Sequence, residues 1–157
     1  MKPLSPAEAL NKAAAYCTLC ERCINEVSTK LTAWGMQASE QAKIIERLVE
    51  ENFINEERYC RAFVNDKLRF NRWGRIKITA ALREKRIDKE LINEAIAEID
   101  EELYMQVLQE LIAIKQKELK GCDYATKQKI VRFAASRGFE PAKIFKIINL
   151  DGYDVDF

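Results

Sequence analysis

A chain of 157 residues with 26 Lys and Arg against 25 Asp and Glu carries a formal charge of +1, and at 48% apolar it has enough to build a core. It contains no histidine, which removes Ser–His and Cys–His catalysis, HExxH sites and histidine-ligated zinc within the chain. Neither common nucleotide cradle, GxGxxG or GxxxxGKS/T, occurs, no apolar run is long enough to span a bilayer, and no carboxylate pair stands apart from the general acidity.

Five glycines and three prolines are too few for a β-sandwich, and the dominant residues apart from Ile are good helix formers, so an all-α protein is expected. The opening MKPLSPAEAL lacks an apolar h-region and reads as a cytosolic terminus. An odd count of five cysteines without a signal peptide favours reduced thiols, hence a cytoplasmic protein.

The first helix signal is the capping box Ser5-Pro6-Ala7-Glu8, with Ser5 at N-cap and Pro6 at N1, predicting a helix through roughly Cys23. A second helix carries Val27, Leu31 and Trp34 and stops at Gly35. Ser39 opens a third, with Ile44, Ile45, Leu48 and Val49 on its buried side. Asn55 caps a fourth, and Glu56-Glu57 complement its positive end. Further helices are predicted over 75–86, 89–99, 101–119, 124–137 and 141–149, the last started by Pro141.

Three stretches share a pattern of a large apolar residue, a polar stretch, Gly or Arg, then an apolar residue: LTAWGM (31–36), LREKRI (82–87) and FAASRGF (133–139). Their spacing is a repeat of about 51 residues, with a one-residue gap in the third copy. The expected organisation is three three-helix repeats at 1–54, 55–100 and 101–150, followed by a C-terminal tail, 151–157, with three aspartates.

CTLCERC (17–23) spaces three cysteines by three. On a helix they drift along one side by about 300° per step, placing Cys17 and Cys20 with Ala13 and Ile24 among apolar neighbours. A cluster-binding run needs a loop with further cysteine behind it. The flanks NKAAAY and INEV are helical in pattern, so the thiols are expected to be core, and no metal or other cofactor is expected.

The densest charge lies in KLRFNRWGRIKITAALREKR (67–86): Lys67, Arg69, Arg72, Arg75, Lys77, Arg83, Lys85 and Arg86 against Glu84 alone. Arginine forks suit phosphate and carboxylate groups, so these residues are candidates for contact with nucleic acid or an acidic protein. Phe70 and Trp73 between them are expected to pack inward. A second group holds Lys115, Lys117, Lys120, Lys127, Lys129, Arg132 and Arg137, of which Lys127, Lys129, Arg132 and Arg137 complete the candidate surface.

The stretch FINEERYCRAFVNDKLRFNRWGRIKITAALREKRID (53–87), flanked by KLTAWG and SRGFEPAKIFKII, resembles the signature of the RecX family. Its elements here are Ile54, Glu56, Glu57, Arg58, Tyr59, Ala62, Phe63, Arg69, Gly74, Ile76, Leu82, Lys85, Arg86 and Ile87. Arg86 stands where the family often has Gly. The resemblance spans roughly residues 9–150 and implies an elongated, curved stack of three three-helix repeats, monomeric or nearly so. It implies a non-enzymatic regulator of the bacterial RecA recombinase, acting in DNA repair, recombination and the SOS response. Such a protein lies in the groove of the RecA–DNA filament and limits growth, strand exchange and ATPase activity, and some members bind single- or double-stranded DNA directly. The basic stretch would equally suit a stand-alone helix-turn-helix DNA-binding protein, although no base-reading helix or dimer interface is evident.

Overall fold

The computed structural model of the protein describes residues 4–150, so the predicted tail at 151–157 lies outside the described residues. Among the described residues there are nine helices and no strand: α1 (Pro6–Leu19), α2 (Ile24–Ala33), α3 (Ala38–Glu50), α4 (Glu56–Arg69), α5 (Arg75–Glu84), α6 (Lys89–Ala97), α7 (Glu101–Leu119), α8 (Tyr124–Ser136) and α9 (Pro141–Ile144). No helix among them is long and apolar enough to cross a membrane. The all-α class and the three-helix repeat are as the sequence predicts.

The chain forms two compact units, the first comprising residues up to Ala62 together with Leu82–Ile92, the second Phe63–Ala81 together with residues from Asn93 onward. In unit 1, Ala9, Ala13 and Cys17 of α1, Val27 and Leu31 of α2, and Ile44 and Leu48 of α3 close on one another with Met36 and Ile54. Gln41, a buried polar side chain of α3, is fully satisfied: its carbonyl accepts from Ser28 Oγ at 2.9 Å, and its amide donates to Thr32 Oγ1 at 2.9 Å and Met36 O at 2.8 Å. A buried amide with all its bonds made fixes α3 on α2 more specifically than an apolar contact would.

Unit 2 centres on α7. Tyr104, Val107, Leu108, Leu111 and Ile112 recur at the three- and four-residue steps of one helix face and are buried against Ile130, Val131 and Ala134 of α8. Asp100 and Asp123 cap the two helices, accepting from Leu103 N and Thr126 N at 3.1 and 3.0 Å. The Tyr104 ring meets that of Phe139 at 5.1 Å between centroids.

The repeat is visible in the burial pattern. A constant 51-residue step pairs Ala9 with Cys60, Ala13 with Val64, Val27 with Ile78, Leu31 with Leu82 and Met36 with Ile87, all of them buried. The turn after the second helix of each set is also shared: Gly35, Arg86 and Gly138 take left-handed backbone at φ 84°, 59° and 95°. At the first and third of these, the following residue bonds back five positions, Met36 N to Leu31 O at 2.9 Å and Phe139 N to Ala134 O at 3.3 Å, closing the orphan carbonyls. In the third copy it is Ala134, fully buried, that matches Leu31 and Leu82, whereas Phe133 is half-buried one position earlier.

Several predicted elements shift. The first helix stops at Leu19, because Cys20 turns extended (φ −164°) and Cys23 becomes the N-cap of α2, so CTLCERC is a junction rather than one helical face. Gln37, not Ser39, occupies the N-cap of α3, and Val49 on that helix is 45% exposed, so it falls outside the buried side assigned to it. After Ile144 the bonds mix three- and four-residue steps, Lys146 N to Lys143 O and Ile147 N to Ile144 O beside Ile148 N to Ile144 O, and α9 ends well short of residue 149. Ser5 behaves as predicted, its Oγ accepting from Glu8 N at 3.2 Å, and Asn55 Oδ1 accepts from Arg58 N at 2.9 Å.

Candidate partner-binding surface

The site is built where α4 ends. Arg72 adopts φ 52°, and Trp73 N donates back to Lys67 O at 3.0 Å, so the chain reverses and brings Trp73 over the last turn of α4. The next residue has no side chain for a geometric reason. Gly74 N donates to Arg137 O at 2.8 Å and Ile76 N to Gly138 O at 3.0 Å. A Cβ on Gly74 would lie 2.4 Å from the carbonyl carbon and oxygen of Gly138. The start of α5 therefore rests directly on the turn between α8 and α9.

This close approach joins the two basic groups of the sequence. The ammonium groups of Lys67 and Lys77 stand 4.8 and 4.5 Å from the centre of the Trp73 ring. Across the Gly74–Arg137 bond, the Phe133 ring carries Lys115 at 4.7 Å and the Arg137 guanidinium at 5.0 Å. Two half-buried aromatic rings, each holding two cations on or near their faces, make a positive surface within unit 2, in which Lys115 is also paired with Glu118 at 3.2 Å. Trp73 packs as the sequence predicts only in part, because its ring remains half-buried. Phe70 does not pack inward at all. It is 76% exposed, standing in the turn one residue beyond the end of α4 and two past the buried Leu68.

The remaining candidates have distinct surroundings. Arg69, exposed, donates through Nε to Asn65 Oδ1 at 2.6 Å. Arg72 lies 3.7 Å from Glu110, with its Nε buried and without a hydrogen bond. Lys129 and Arg132 are exposed on the side of α8 away from Ile130 and Val131, and Lys127 reaches Asn149 O at 3.5 Å. In unit 1, Arg83 and Arg86 are exposed, while Lys85 pairs with Glu26 at 3.5 Å.

Arg75 is committed within the fold. Its backbone N–H donates to Tyr104 Oη at 3.0 Å, its guanidinium donates to Glu101 at 2.6 Å and Glu140 at 2.9 Å, and it stacks at 3.9 Å from the Tyr104 ring. Tyr104 Oη in turn donates to Glu140, and Lys143 to Glu101. Burial opposes the charge of Arg75, yet the hydrogen bonds to Glu101 and Glu140 outweigh it and hold its pKa above the ordinary value. The bonds from Lys143 and Arg75 draw Glu101 down to about 2. Burial, reinforced by the bond to Glu140, pushes Tyr104 up. The group ties α5, α7 and α9 together, so replacing Arg75 acts on the fold first.

The cysteines divide by position. Cys17, Cys23 and Cys60 are buried, and Cys20 and Cys122 are exposed. Cys20 and Ile24, expected among apolar neighbours, lie instead at the exposed α1–α2 junction, where the chain leaves the helical path. Burial pushes the Cys23 and Cys60 thiols up to about 11. Among the described residues no group of three His, Cys, Asp or Glu side chains could hold a metal ion. At the same junction, Cys23 N donates to Glu26 at 3.1 Å and Ile24 N to Glu56 at 3.2 Å, so carboxylates take the orphan donors that open α2. Glu56 thus serves a helix other than its own.

The family model described as RecX, second three-helix domain, matches residues 55–96. The chain is 26% identical over 139 residues to a Regulatory protein RecX of Lactobacillus johnsonii, covering 88% of this chain and 51% of that protein, about half its length. It is 32% identical over 117 residues to the one of Clostridium perfringens, covering 73% of this chain and 54% of the relative. With a Mycobacterium Regulatory protein RecX it shares 25% over 158 residues, 95% of this chain and 86% of the other. The crystal structure of RecX from Lactobacillus salivarius superposes with a TM-score of 0.79 at 22% identity, covering 90% and 93% of the two chains. A crystal structure of a regulatory protein RecX gives 0.81 at 18%, covering 91% and 70%, and both likenesses speak to the fold. The repeat, the basic turn after α4 and these matches together make the chain similar to the RecX family, whose second three-helix domain it matches at residues 55–96.

Proposed function

We propose that this chain is a non-enzymatic regulator of the bacterial RecA recombinase, which binds in the groove of the RecA–DNA filament and limits its growth, strand exchange and ATPase activity. The observation that carries the reading is the meeting of two basic groups, distant in sequence, around Trp73 and Phe133. A surface of clustered cations on rigid aromatic supports suits a partner that is itself a polyanion, or a protein polymer wound on one. Each phosphate it neutralises releases counterions and makes the contact salt-sensitive. The names of the relatives, each a Regulatory protein RecX, support the same reading.

In this reading Lys67, Arg69, Lys77, Lys129, Arg132 and Arg137 of unit 2 make the contact, with Arg83 and Arg86 of unit 1 beside their own repeat turn. Arg72, Lys85 and Lys127 contribute after releasing Glu110, Glu26 and Asn149. The repeats are bounded at 1–54, 55–100 and 101–150, and the protein acts as a cytoplasmic monomer without a cofactor, the recombinase supplying the ATPase. The test is RecA-promoted strand exchange with this protein added at stoichiometric and lower ratios. Inhibition below one copy per RecA subunit is expected. Unchanged exchange at every ratio, or selection of a sharp duplex consensus from random DNA, would instead favour a stand-alone DNA-binding protein.

A further inference from the structure

The first repeat carries a cationic face outside the basic stretches of the sequence. Lys12 and Tyr16 lie four residues apart on α1, and Lys30 and Trp34 lie four apart along α2 and its C-cap, so each pair shares one side of its helix. The two pairs cross. Lys12 Nζ stands 4.7 Å from the centre of the Trp34 ring, and Lys30 Nζ 5.4 Å from that of Tyr16. From the α1–α2 junction the Arg22 guanidinium covers the same Tyr16 ring at 3.8 Å, and its Nε donates to Tyr16 O at 3.2 Å. These crossed contacts gather all five side chains on one face of unit 1.

The 51-residue step relates this face to the one around Trp73. It carries Tyr16 onto Lys67 and Arg22 onto Trp73. Arg22 lies on the Tyr16 ring and Lys67 on the Trp73 ring, so both repeats keep a ring–cation pair at the same two positions with the partners exchanged. The return bond is kept as well: Trp73 N donates to Lys67 O at 3.0 Å, as Arg22 Nε does to Tyr16 O.

What holds these cations decides what they can bind. Elsewhere in unit 1, Arg47, Arg58, Arg61 and Lys85 pair with Glu51, Glu21, Glu57 and Glu26. Among the described residues no carboxylate pairs with Lys12, Arg22 or Lys30. Glu26, close enough to act on Tyr16, is already engaged by Cys23 N at 3.1 Å and by Lys85. A ring restrains a cation without neutralising it, so the charge stays available and part of the side-chain ordering is done before a partner arrives. One such pair is an ordinary surface feature. Three cations on two rings, with no acid paired to them, make a concentration of charge that the core of unit 1 does not use. A nucleic-acid strand answers it best, because it presents a phosphate at every nucleotide with no cation between.

We infer that Lys12, Arg22 and Lys30, held on Tyr16 and Trp34, form a phosphate-binding face of the first repeat that takes the backbone of a nucleic-acid strand directly. This goes beyond the filament reading, which needs no contact between unit 1 and nucleic acid.

The test uses the full chain and a fluorescein-labelled oligo-dT, with affinity followed by anisotropy from low to high salt, and a second arm with RecA subunits free of DNA. Lys12→Glu with Lys30→Glu is compared with Lys43→Glu with Lys89→Glu. The second pair makes the same change in net charge at two exposed lysines of unit 1 outside this face. On oligo-dT the first variant should lose at least about tenfold at low salt, and its slope of log affinity against log salt should flatten by about 1.4, two contacts at about 0.7 each. The control should lose no more than about twofold. Circular dichroism checks that the helices are kept. Should the reversed pair lose helix content, Lys12→Gln with Lys30→Gln carries the same test with the same change of slope. Equal losses in the two variants overturn the inference, because net charge alone then accounts for them. Unchanged affinity of the first variant, or a wild type that does not bind oligo-dT, also overturns it. A variant that keeps its oligo-dT affinity but loses binding to free RecA assigns the face to an acidic protein surface, and the inference falls again. None of these results removes the filament reading, which strand exchange tests separately.

Discussion

Replacing Gly74 by alanine tests the contact on which the candidate surface is built. The added Cβ would lie 2.4 Å from the carbonyl carbon and oxygen of Gly138 and 2.5 Å from Phe139 N. Those are backbone atoms of a turn, with no flexible side-chain end to move aside. Relief requires the start of α5 to withdraw from the α8–α9 turn. Overpacking alone costs about 1–3 kcal/mol. Withdrawal also weakens Gly74 N to Arg137 O and Ile76 N to Gly138 O, worth about 1 kcal/mol each. The sum is about 3–5 kcal/mol, which for a chain of this size lowers the melting temperature by roughly 10 °C. The assay is thermal unfolding followed by circular dichroism, with Gly121→Ala as a control, whose Cβ meets only the Thr126 side chain. A melting temperature for Gly74→Ala within about 1 °C of wild type would refute the packing argument, and with it the joining of the two basic groups.

Other outcomes follow from the same structure. Arg86 holds φ 59°, so Arg86→Gly removes left-handed strain of about 1–2 kcal/mol, partly offset by glycine's greater freedom when unfolded, and the melting temperature should rise slightly. A thiol reagent at pH 8 should label Cys20 and Cys122 at once, while Cys17, Cys23 and Cys60 react only after denaturant is added. Because Glu101 is held at about 2 against an ordinary 4.5, its contribution is fully present above pH 4.5 and is lost as pH falls towards 2. The difference in melting temperature between wild type and Glu101→Gln should therefore be constant from neutral pH to about 5 and close below that. Leu82→Ala, at a fully buried repeat position, should destabilise by about 2–5 kcal/mol, read from urea unfolding.

Helix content and the repeat were legible because both are written in local signals. Ser5, Asn55 and Pro141 cap or open helices through their own chemistry, and Gly35 and Gly138 mark left-handed turns that few other residues enter easily. The middle turn was legible from the repeat pattern of LREKRI, although the arginine at position 86 does not by itself announce its left-handed backbone. The cysteine run misled for a related reason: helical flanks on both sides do not reveal that Cys20 leaves the helix. The candidate surface was half legible. Charge density named Lys67 and Lys77, but only the tertiary contact at Gly74 brings Arg137 to them. Charge alone likewise gave Arg75 the same standing as its neighbours, although Glu101, Glu140 and Tyr104 converge on it from helices far along the chain. Phe70 was read as core from its apolarity. Its exposed place in the turn just beyond α4 emerges only once the end of that helix is known.

The most direct test of the central claim reverses the charge around Trp73. Lys67→Glu with Lys77→Glu leaves the buried core untouched, and its binding to RecA filaments on DNA would be measured by fluorescence anisotropy from low to high salt. Affinity at low salt should fall by at least about tenfold, and the slope of affinity against salt should flatten by roughly one unit for each phosphate no longer neutralised, with the melting temperature unchanged. Equal affinity and an equal salt slope for the doubly reversed protein would contradict the assignment of this surface to the filament.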